Sequence, residues 1–347
     1  MKRVATVKDG KGNKVSIHDA ICSYDNILKA YNKARKCKRY RKEVIRFTDR
    51  KEENLERVRM DIMNLTHEPS EYRYFKVYEP KERQIMALPF YDRVVQHAIV
   101  NILEPIFNKR FIEHSYACRK GKGMHAASDT LYKWLYDWEK YHDEPLYAIK
   151  ADIHQYFKSI NHEVLKREIR KVIKDESTLV LVERIIDHNG NMPDGTGIPV
   201  GNLTSQLFAN IYLNKLDQFI KHELGAKYYI RYMDDFILLS PDKAQLKEWS
   251  QRIEEFIINE LRLELNPKTT ILCSKNGIDF VGYKHRATHR KVRPDSVKRM
   301  KKKIKKYKAG KITKEQLQKS VTSWTGHAAH ADSYHLREKI HAMADAA

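Results

Sequence analysis

Cysteine is scarce in this chain of 347 residues: there are four, and they are widely scattered. They form no Cys-x-x-Cys pair, so neither a disulfide framework nor a zinc site is expected, and reduced thiols are predicted at Cys22, Cys37, Cys118 and Cys273. Long apolar runs are absent too, and the N-terminus MKRVATVKDGKGNK lacks the apolar stretch of a secretory signal. These absences argue against a membrane segment and predict a cytoplasmic protein.

Acidic residues are few relative to basic ones. The sequence has 66 Lys and Arg against 45 Asp and Glu, a formal net charge of +21. An excess this large predicts a polyanionic partner, and nucleic acid fits better than a membrane surface. Eleven Lys and Arg fall between Lys29 and Lys51, and thirteen fall between His285 and Lys311. Either segment could be a solvated helix face, but the second has a single acid and favours contact with phosphates.

The spacing of apolar residues changes along the chain between the helical and the strand period. Helices are predicted over Asp25–Lys36, Arg50–Leu65, Tyr91–Phe107, 125–141, 161–174 and Lys243–Glu260, with a long helix after the loop that begins at Gly197. A hairpin is predicted over Tyr72–Leu88, and strands are predicted before Asp152, on both sides of the YMDD motif, and around 269–272 and 279–283.

Three acids stand at the ends of apolar strands. Asp234 and Asp235 form the turn of YYIRYMDDFILLS, and Asp152 ends the strand LYAIKAD. Taken singly, each could be an ordinary turn or N-cap acid. A buried carboxylate pair is costly unless a cation neutralises it, and few carboxylates completed by substrate phosphates suit Mg²⁺. Two such ions can organise phosphoryl transfer, which makes a two-metal site the favoured interpretation.

Several blocks in a fixed order resemble those of reverse transcriptases. ADIHQYFKSINH, GIPVGNLTSQLFANIYL and YMDD resemble the palm motifs; RQIMALPFYDRVVQHA and SYACRKGKG resemble the fingers motifs of group II intron and retron enzymes; LNPKTTIL and FVGY resemble the later palm and primer grip. The resemblance implies an α+β right-hand polymerase fold with fingers, an antiparallel-sheet palm and a helical thumb. The expected division is a basic helical extension (1–70), fingers (71–145), palm with interleaved fingers elements (146–284) and a basic helical thumb (285–347).

One block indicates which group of reverse transcriptases this chain resembles. Most reverse transcriptases carry Gln-Gly-x-x-x-Ser-Pro beside the incoming nucleotide, whereas this chain has VGNLTSQ, from Val200 to Gln206. In this respect, and in CRKGKG and SWTGHAAHADSY, the chain resembles reverse transcriptases of diversity-generating retroelements. That resemblance implies a bacterial or phage enzyme that copies a template-repeat RNA with frequent errors opposite adenine, assisted by a small basic accessory variability protein. The mutated cDNA would replace a variable segment of a target gene.

The resemblance also implies a role for individual residues. Asp152 and Asp234 would hold two Mg²⁺ ions with the carbonyl of Ile153, Asp235 would be a weaker ligand or an outer acid, and Lys268 would give a proton to pyrophosphate. Contacts to the nucleotide are expected from Lys81, Arg83, Arg119, Phe157, Val200, Gly201 and Gln206, with Lys76 a weaker candidate. Contacts to primer or template are expected from Lys122, Tyr232, Met233, Phe280, Gly282 and Tyr283.

Two of these expectations have a specific physical content. The ring of Phe157 would clash with a ribose 2′-hydroxyl, although an ordinary core aromatic would give the same sequence. Val200 cannot donate the hydrogen bond that a Gln amide offers, which would loosen the nascent base pair.

Two alternatives remain open at the sequence level. A retron-type or phage-defence reverse transcriptase would share most of the motifs. A nucleic-acid-binding scaffold without polymerase activity is the other, and the intact acids argue against it.

Overall fold

The computed structural model describes residues 3–10, 12–78, 82–190 and 192–347. The first third of the chain is mainly helical, as its apolar spacing predicts. Its elements are β1 (Thr6–Lys8), β2 (Lys14–Ser16), α1 (Ile17–Cys22), α2 (Tyr24–Ala34), α3 (Lys42–Asp49), α4 (Lys51–Met63), β3 (Arg73–Val77), β4 (Arg83–Ala87) and α5 (Phe90–Asn108). The predicted hairpin is β3–β4, whereas the small hairpin β1–β2 was not predicted.

The middle of the chain contains strands and helices, and two of these helices begin at a side-chain cap. Asn161 and Asp175 accept hydrogen bonds from the backbone of the first turn of the helix that follows each of them. The elements are α6 (Met124–Tyr141), β5 (Tyr147–Asp152), α7 (Tyr156–Ser159), α8 (His162–Arg170), α9 (Glu176–Asp187), α10 (Leu203–Gln218), β6 (Tyr228–Tyr232), β7 (Asp235–Ser240) and α11 (Lys243–Leu261).

The last part contains short strands followed by three helices. Its elements are β8 (Thr270–Cys273), β9 (Ile278–Phe280), β10 (Tyr283–His285), β11 (Arg290–Val292), α12 (Pro294–Lys308), α13 (Lys314–Ala328) and α14 (Tyr334–Asp345). The strand predicted at 279–283 is wrong in extent, because Val281 and Gly282 have φ of 42° and 92° and form a two-residue turn between β9 and β10. Positive φ at both central residues matches the twist of a tight hairpin.

The chain folds as two compact units. The helical unit comprises 1–112, 153–223 and 253–265, and the sheet unit comprises 113–152, 224–252 and 266–347. The four-part division into extension, fingers, palm and thumb stays a prediction. No helix within the described ranges is long and apolar enough to cross a membrane.

The central feature of the sheet unit is an antiparallel sheet of order β6–β7–β5–β8. One core packs helix α6 on this sheet, with Leu131, Leu135, Ala148, Ile237 and Phe280 among its buried residues. The mixed α+β class with an antiparallel sheet is therefore confirmed.

Helices α12 to α14 form a second core in the same unit, around Met300, Ile304, Leu317 and Trp324. Because α12 buries only Met300 and Ile304, most of its basic side chains face solvent. The exposed ones are Lys298, Arg299, Lys302, Lys305, Lys306 and Lys308.

Candidate active site

The three predicted acids all lie at one end of the sheet in the sheet unit. Asp152 is the last residue of β5 and lies directly opposite Asp235, the first residue of β7. Asp234 and Met233 form the turn between β6 and β7, closed by the pairing of Tyr232 with Asp235. Strand pairing thus brings together acids that are about eighty residues apart in sequence. The predicted hairpin at this motif is confirmed.

Asp235 is the least satisfied of the three carboxylates. Its Oδ1 is sealed from solvent and has no hydrogen-bond partner among the described residues. Burial raises the pKa of Asp235 to about 7; Lys150 and Arg293 oppose the rise, and Asp152 and Asp234 add to it. Since a buried carboxylate without a partner is unfavourable, this position is suited to a bound cation.

Asn266 fixes the orientation of Asp152. Its Nδ2 donates to Asp152 Oδ2 at 3.2 Å, and its backbone N–H donates to the Asp152 carbonyl at 2.7 Å. The Asn266 Oδ1 in turn accepts from the backbone N–H of Lys268 at 3.1 Å, while the Lys268 side chain is exposed. Asn266 was missed by sequence reasoning, although it lies in the LNPKT segment that was singled out.

The residues present fit a hard divalent cation only with ligands from outside the protein. Among the described residues, no three His, Cys, Asp or Glu side chains are arranged to hold a metal ion by themselves. Two facing carboxylates, a third acid in the adjoining turn and an unsatisfied oxygen are what a site completed by phosphate oxygens requires. The donor set consists of oxygens, which suits Mg²⁺.

Ile153 and Phe157 belong to the helical unit. Ile153 is buried and forms an antiparallel bridge with Leu265. Phe157 is half-buried, and its carbonyl accepts from the Ile198 N–H at 2.8 Å. The adjacent Tyr156 is the buried aromatic instead. Tyr156 is thus more deeply buried than Phe157, and both interpretations of Phe157 stay open.

The loop that begins at Val200 is held by β4. The Val200 carbonyl accepts from the Met86 N–H at 3.3 Å, and the Val200 side chain is half-buried. Gly201 has φ of +116°, and a Cβ there would lie 3.1 Å from Ile85 Cγ2. Glycine is required at this position by both its backbone conformation and its close neighbour.

Two polar side chains that were not predicted fix the rest of this loop. Asn202 Nδ2 donates to the Tyr72 hydroxyl at 3.1 Å, and the Leu203 N–H donates to Gln96 Oε1 at 3.1 Å. The only sequence signal for Gln96 was a polar residue on the apolar face of α5. Gln206 lies in the first turn of α10 and is exposed.

The basic residues predicted to contact the nucleotide differ in whether their side chains are exposed or held in an ion pair. Lys81 lies outside the described residues, and Arg83 is exposed at the start of β4. Lys76 forms an ion pair with Glu82 at 2.7 Å.

The basic glycine loop makes its own internal contacts. Arg119 Nη1 donates to the Ser115 carbonyl at 2.7 Å, and Lys122 forms an ion pair with Glu113. None of these contacts brings Arg119 or Lys122 to the three acids of the site.

The hairpin β9–β10 contains three of the residues predicted to place the primer end, Phe280, Gly282 and Tyr283. Phe280 and Tyr283 have side chains that are 0% exposed, so they cannot touch a primer directly. The Tyr283 hydroxyl donates to the His327 carbonyl at 2.8 Å. Gly282 lies against the His327 ring, with a Cβ position 3.0 Å from Cε1. Any role of Phe280 and Tyr283 is to position the turn at Val281 and Gly282.

The carboxylates at one end of the inner strands β5 and β7 define a site suited to a divalent cation and phosphates. Comparison with known families agrees with this class. The model of the family described as reverse transcriptase (RNA-dependent DNA polymerase) matches residues 76–285. The chain belongs to the reverse transcriptase family.

The individual relatives have low sequence identity to this chain. Protein YkfC of Escherichia coli K12 is 28% identical over 253 residues, covering 60% of this chain and 65% of the relative. The group II intron-encoded protein LtrA of Lactococcus lactis subsp. cremoris is 23% identical over 342 residues, covering 78% of this chain and 54% of the relative. The chain thus spans less than two thirds of each. A solved structure of truncated apo telomerase from Candida tropicalis aligns with a TM-score of 0.48 at 15% identity, covering 65% of this chain and 55% of that chain.

Proposed function

We propose that this protein is an RNA-directed DNA polymerase that extends a DNA primer on an RNA template with deoxynucleoside triphosphates. The observation that carries the proposal is the pairing of Asp152 with Asp235, whose Oδ1 is buried and unsatisfied. Family membership and the net charge of +21 support it.

Asp152 and Asp234 would hold two Mg²⁺ ions, with the Ile153 carbonyl as a further ligand and Asp235 as a weaker ligand or outer acid. When bound, the ions would activate the primer 3′-hydroxyl and neutralise charge on the phosphates. Asn266 keeps the Asp152 carboxylate in one orientation through its amide. The protein's main contribution is to hold these oxygens in place before the substrate arrives.

Other side chains would act on the nucleotide. Arg83 and Lys81 would neutralise the triphosphate, since a guanidinium matches phosphate oxygens with a planar fork. The accessible part of the Phe157 ring would exclude a ribose 2′-hydroxyl. The ammonium of Lys268 would donate a proton to the leaving pyrophosphate.

Primer extension on an RNA template tests the proposal. We expect extension by the unaltered protein with Mg²⁺ and a loss of about a hundredfold to a thousandfold for Asp234→Asn, the range seen when one charge-stabilising group is removed. Asp143→Asn is the matched control, because Asp143 is an exposed acid before β5. Equal extension by Asp234→Asn and the unaltered protein would refute the assignment.

Within this activity, we propose the narrower role of a mutagenic reverse transcriptase of a diversity-generating retroelement. The support is the block from Val200 to Gln206, together with the loop geometry that fixes it. The partners would be a template-repeat RNA, a cDNA primer and a small basic accessory variability protein. A bacterial or phage origin and a cytoplasmic location stay predictions.

Sequencing of cDNA tests the narrower role. The protein is incubated with the RNA encoded beside its gene, and errors opposite adenine are counted against errors opposite the other bases. A strong excess opposite adenine is expected. A uniform error spectrum would favour the retron-type or phage-defence alternative instead.

A further inference from the structure

Arg231 is a charged residue with a fully buried side chain. It lies on β6, one position before Tyr232, and is 0% exposed. A buried guanidinium is unfavourable unless its donors are satisfied, so its contacts have to be unusually well arranged. No role was predicted for it from the sequence.

The contacts of Arg231 join two segments of the sheet unit. Its Nη1 donates to the Met233 carbonyl at 2.8 Å, and its Nη2 donates to Ser115 Oγ at 3.2 Å. Its backbone N–H donates to the His114 carbonyl at 2.9 Å, and its own carbonyl accepts from the Tyr116 N–H at 3.0 Å. One residue therefore links the turn that carries Asp234 to the segment preceding the basic glycine loop.

Met233 has an unfavourable backbone conformation in this turn. Its φ is +60°, a conformation that residues other than glycine rarely adopt and that persists only when the surroundings impose it. The Met233 carbonyl belongs to the same peptide group as the Asp234 N–H, so its rotation would turn the following carboxylate. The hydrogen bond from Arg231 restricts that rotation.

We propose that Arg231 is a positioning residue that holds the Met233 peptide and thereby aims Asp234 at the bound cation. Arg231 acts through the turn and does not touch the substrate. The inference rests on the proposed function, because it assigns a cation to Asp234.

Two substitutions distinguish the hydrogen bonds of Arg231 from the space that its side chain fills. Arg231→Lys keeps the charge but cannot serve both acceptors, and Arg231→Met keeps the length and removes every donor. In the presence of an RNA template, a primer that lacks its 3′-hydroxyl and one fixed concentration of a deoxynucleoside triphosphate, we expect the Mn²⁺ concentration for half-saturation to rise about tenfold for Arg231→Lys and more for Arg231→Met. Free Mn²⁺ is followed by electron paramagnetic resonance. The rate of single-nucleotide incorporation should fall in parallel, with the KM for the nucleotide unchanged.

Ser115→Ala is the matched control, since it removes the Ser115 hydroxyl that accepts from Arg231 and leaves the hydrogen bond to the Met233 carbonyl. We expect its Mn²⁺ affinity to equal that of the unaltered protein. A folded Arg231→Lys protein with normal Mn²⁺ affinity overturns the proposal. So does a failure of both Arg231 variants to fold while Ser115→Ala folds, since Arg231 would then serve stability alone. Failure of the proposed function looks different: the unaltered protein would bind Mn²⁺ without extending a primer.

Discussion

At the scale of single residues, the proposed mutagenic role depends on Val200. Its carbonyl is held by Met86, so a substitution changes the side chain without freeing the backbone. Val200→Gln introduces an amide donor, and a positioning contact of about 1–3 kcal/mol should lower misincorporation by a factor of about five to a hundred. The measurement is the error spectrum on a defined RNA, with Val200→Ile as the control that keeps a branched apolar side chain. Unchanged misincorporation opposite adenine in Val200→Gln would contradict this account of fidelity.

His285 gives the molecule a pH-dependent stability. It is fully buried, with Nδ1 against the Ile278 carbonyl and Nε2 against Ser128 Oγ, and burial lowers its pKa from 6.5 to about 4. As pH falls, the unfolded chain takes up a proton at this histidine before the folded chain does. The contribution of neutral His285 to the free energy of unfolding is therefore fully present above pH 6.5 and is lost toward pH 4. The free energy of unfolding should fall by about 2 kcal/mol between pH 7 and pH 5 from this residue alone.

Urea denaturation at several pH values measures this loss. His285→Gln should be less stable at pH 7 and should show a shallower decline below it. His97, whose pKa burial also lowers to about 4, will keep part of the slope. An equally steep decline in both proteins would rule out His285 as a source.

Some residues of the site could be predicted and others could not. Asp152, Asp234 and Asp235 stood out because acids at the ends of apolar strands need a chemical reason. Asn266 and Arg231 did not, because an Asn between a helix and a strand and an Arg before a motif are common in sequence. Their roles depend on hydrogen bonds to Asp152 and Met233 that only the fold creates.

At the scale of elements, the loop from Val200 to Leu203 depends on a single glycine. Gly201→Ala forces a side chain into φ of +116° and toward Ile85, which should cost about 1–3 kcal/mol. Gly326→Ala is the control, because Gly326 lies in α13 with ordinary φ and open space, and it should be stabilised by up to about 1 kcal/mol. Thermal unfolding compares the two, and a neutral Gly201→Ala would contradict the strain assigned here.

Long periodic elements were predicted well, and short ones were not. The helix predicted over Tyr91–Phe107 is α5, and the helix predicted over Lys243–Glu260 is α11. The hairpin β1–β2 was missed because three-residue strands give no period to detect. The break between β9 and β10 was missed because Val281 has a positive φ, which its residue type does not announce.

At the scale of the whole molecule, the charge predicts salt-sensitive binding of RNA. Replacing three exposed lysines of α12 (Lys302, Lys305 and Lys306) by Gln should reduce the slope of log affinity against log salt by about 2, because each lost phosphate contact on a single strand removes about 0.7. Lys339 is an exposed residue of α14, and Lys339→Gln should leave the slope of log affinity against log salt unchanged. A slope that is the same in the triple variant would show that α12 does not contact phosphates.

The central claim is that Asp152 and the acids of the turn form one catalytic site. Single-turnover incorporation of one deoxynucleotide on an RNA template, compared between the unaltered protein, Asp152→Asn and Asp143→Asn, tests it most directly. We predict a rate for Asp152→Asn that is about a hundredfold to a thousandfold lower, with Asp143→Asn unchanged. Incorporation by Asp152→Asn at the normal rate would contradict it.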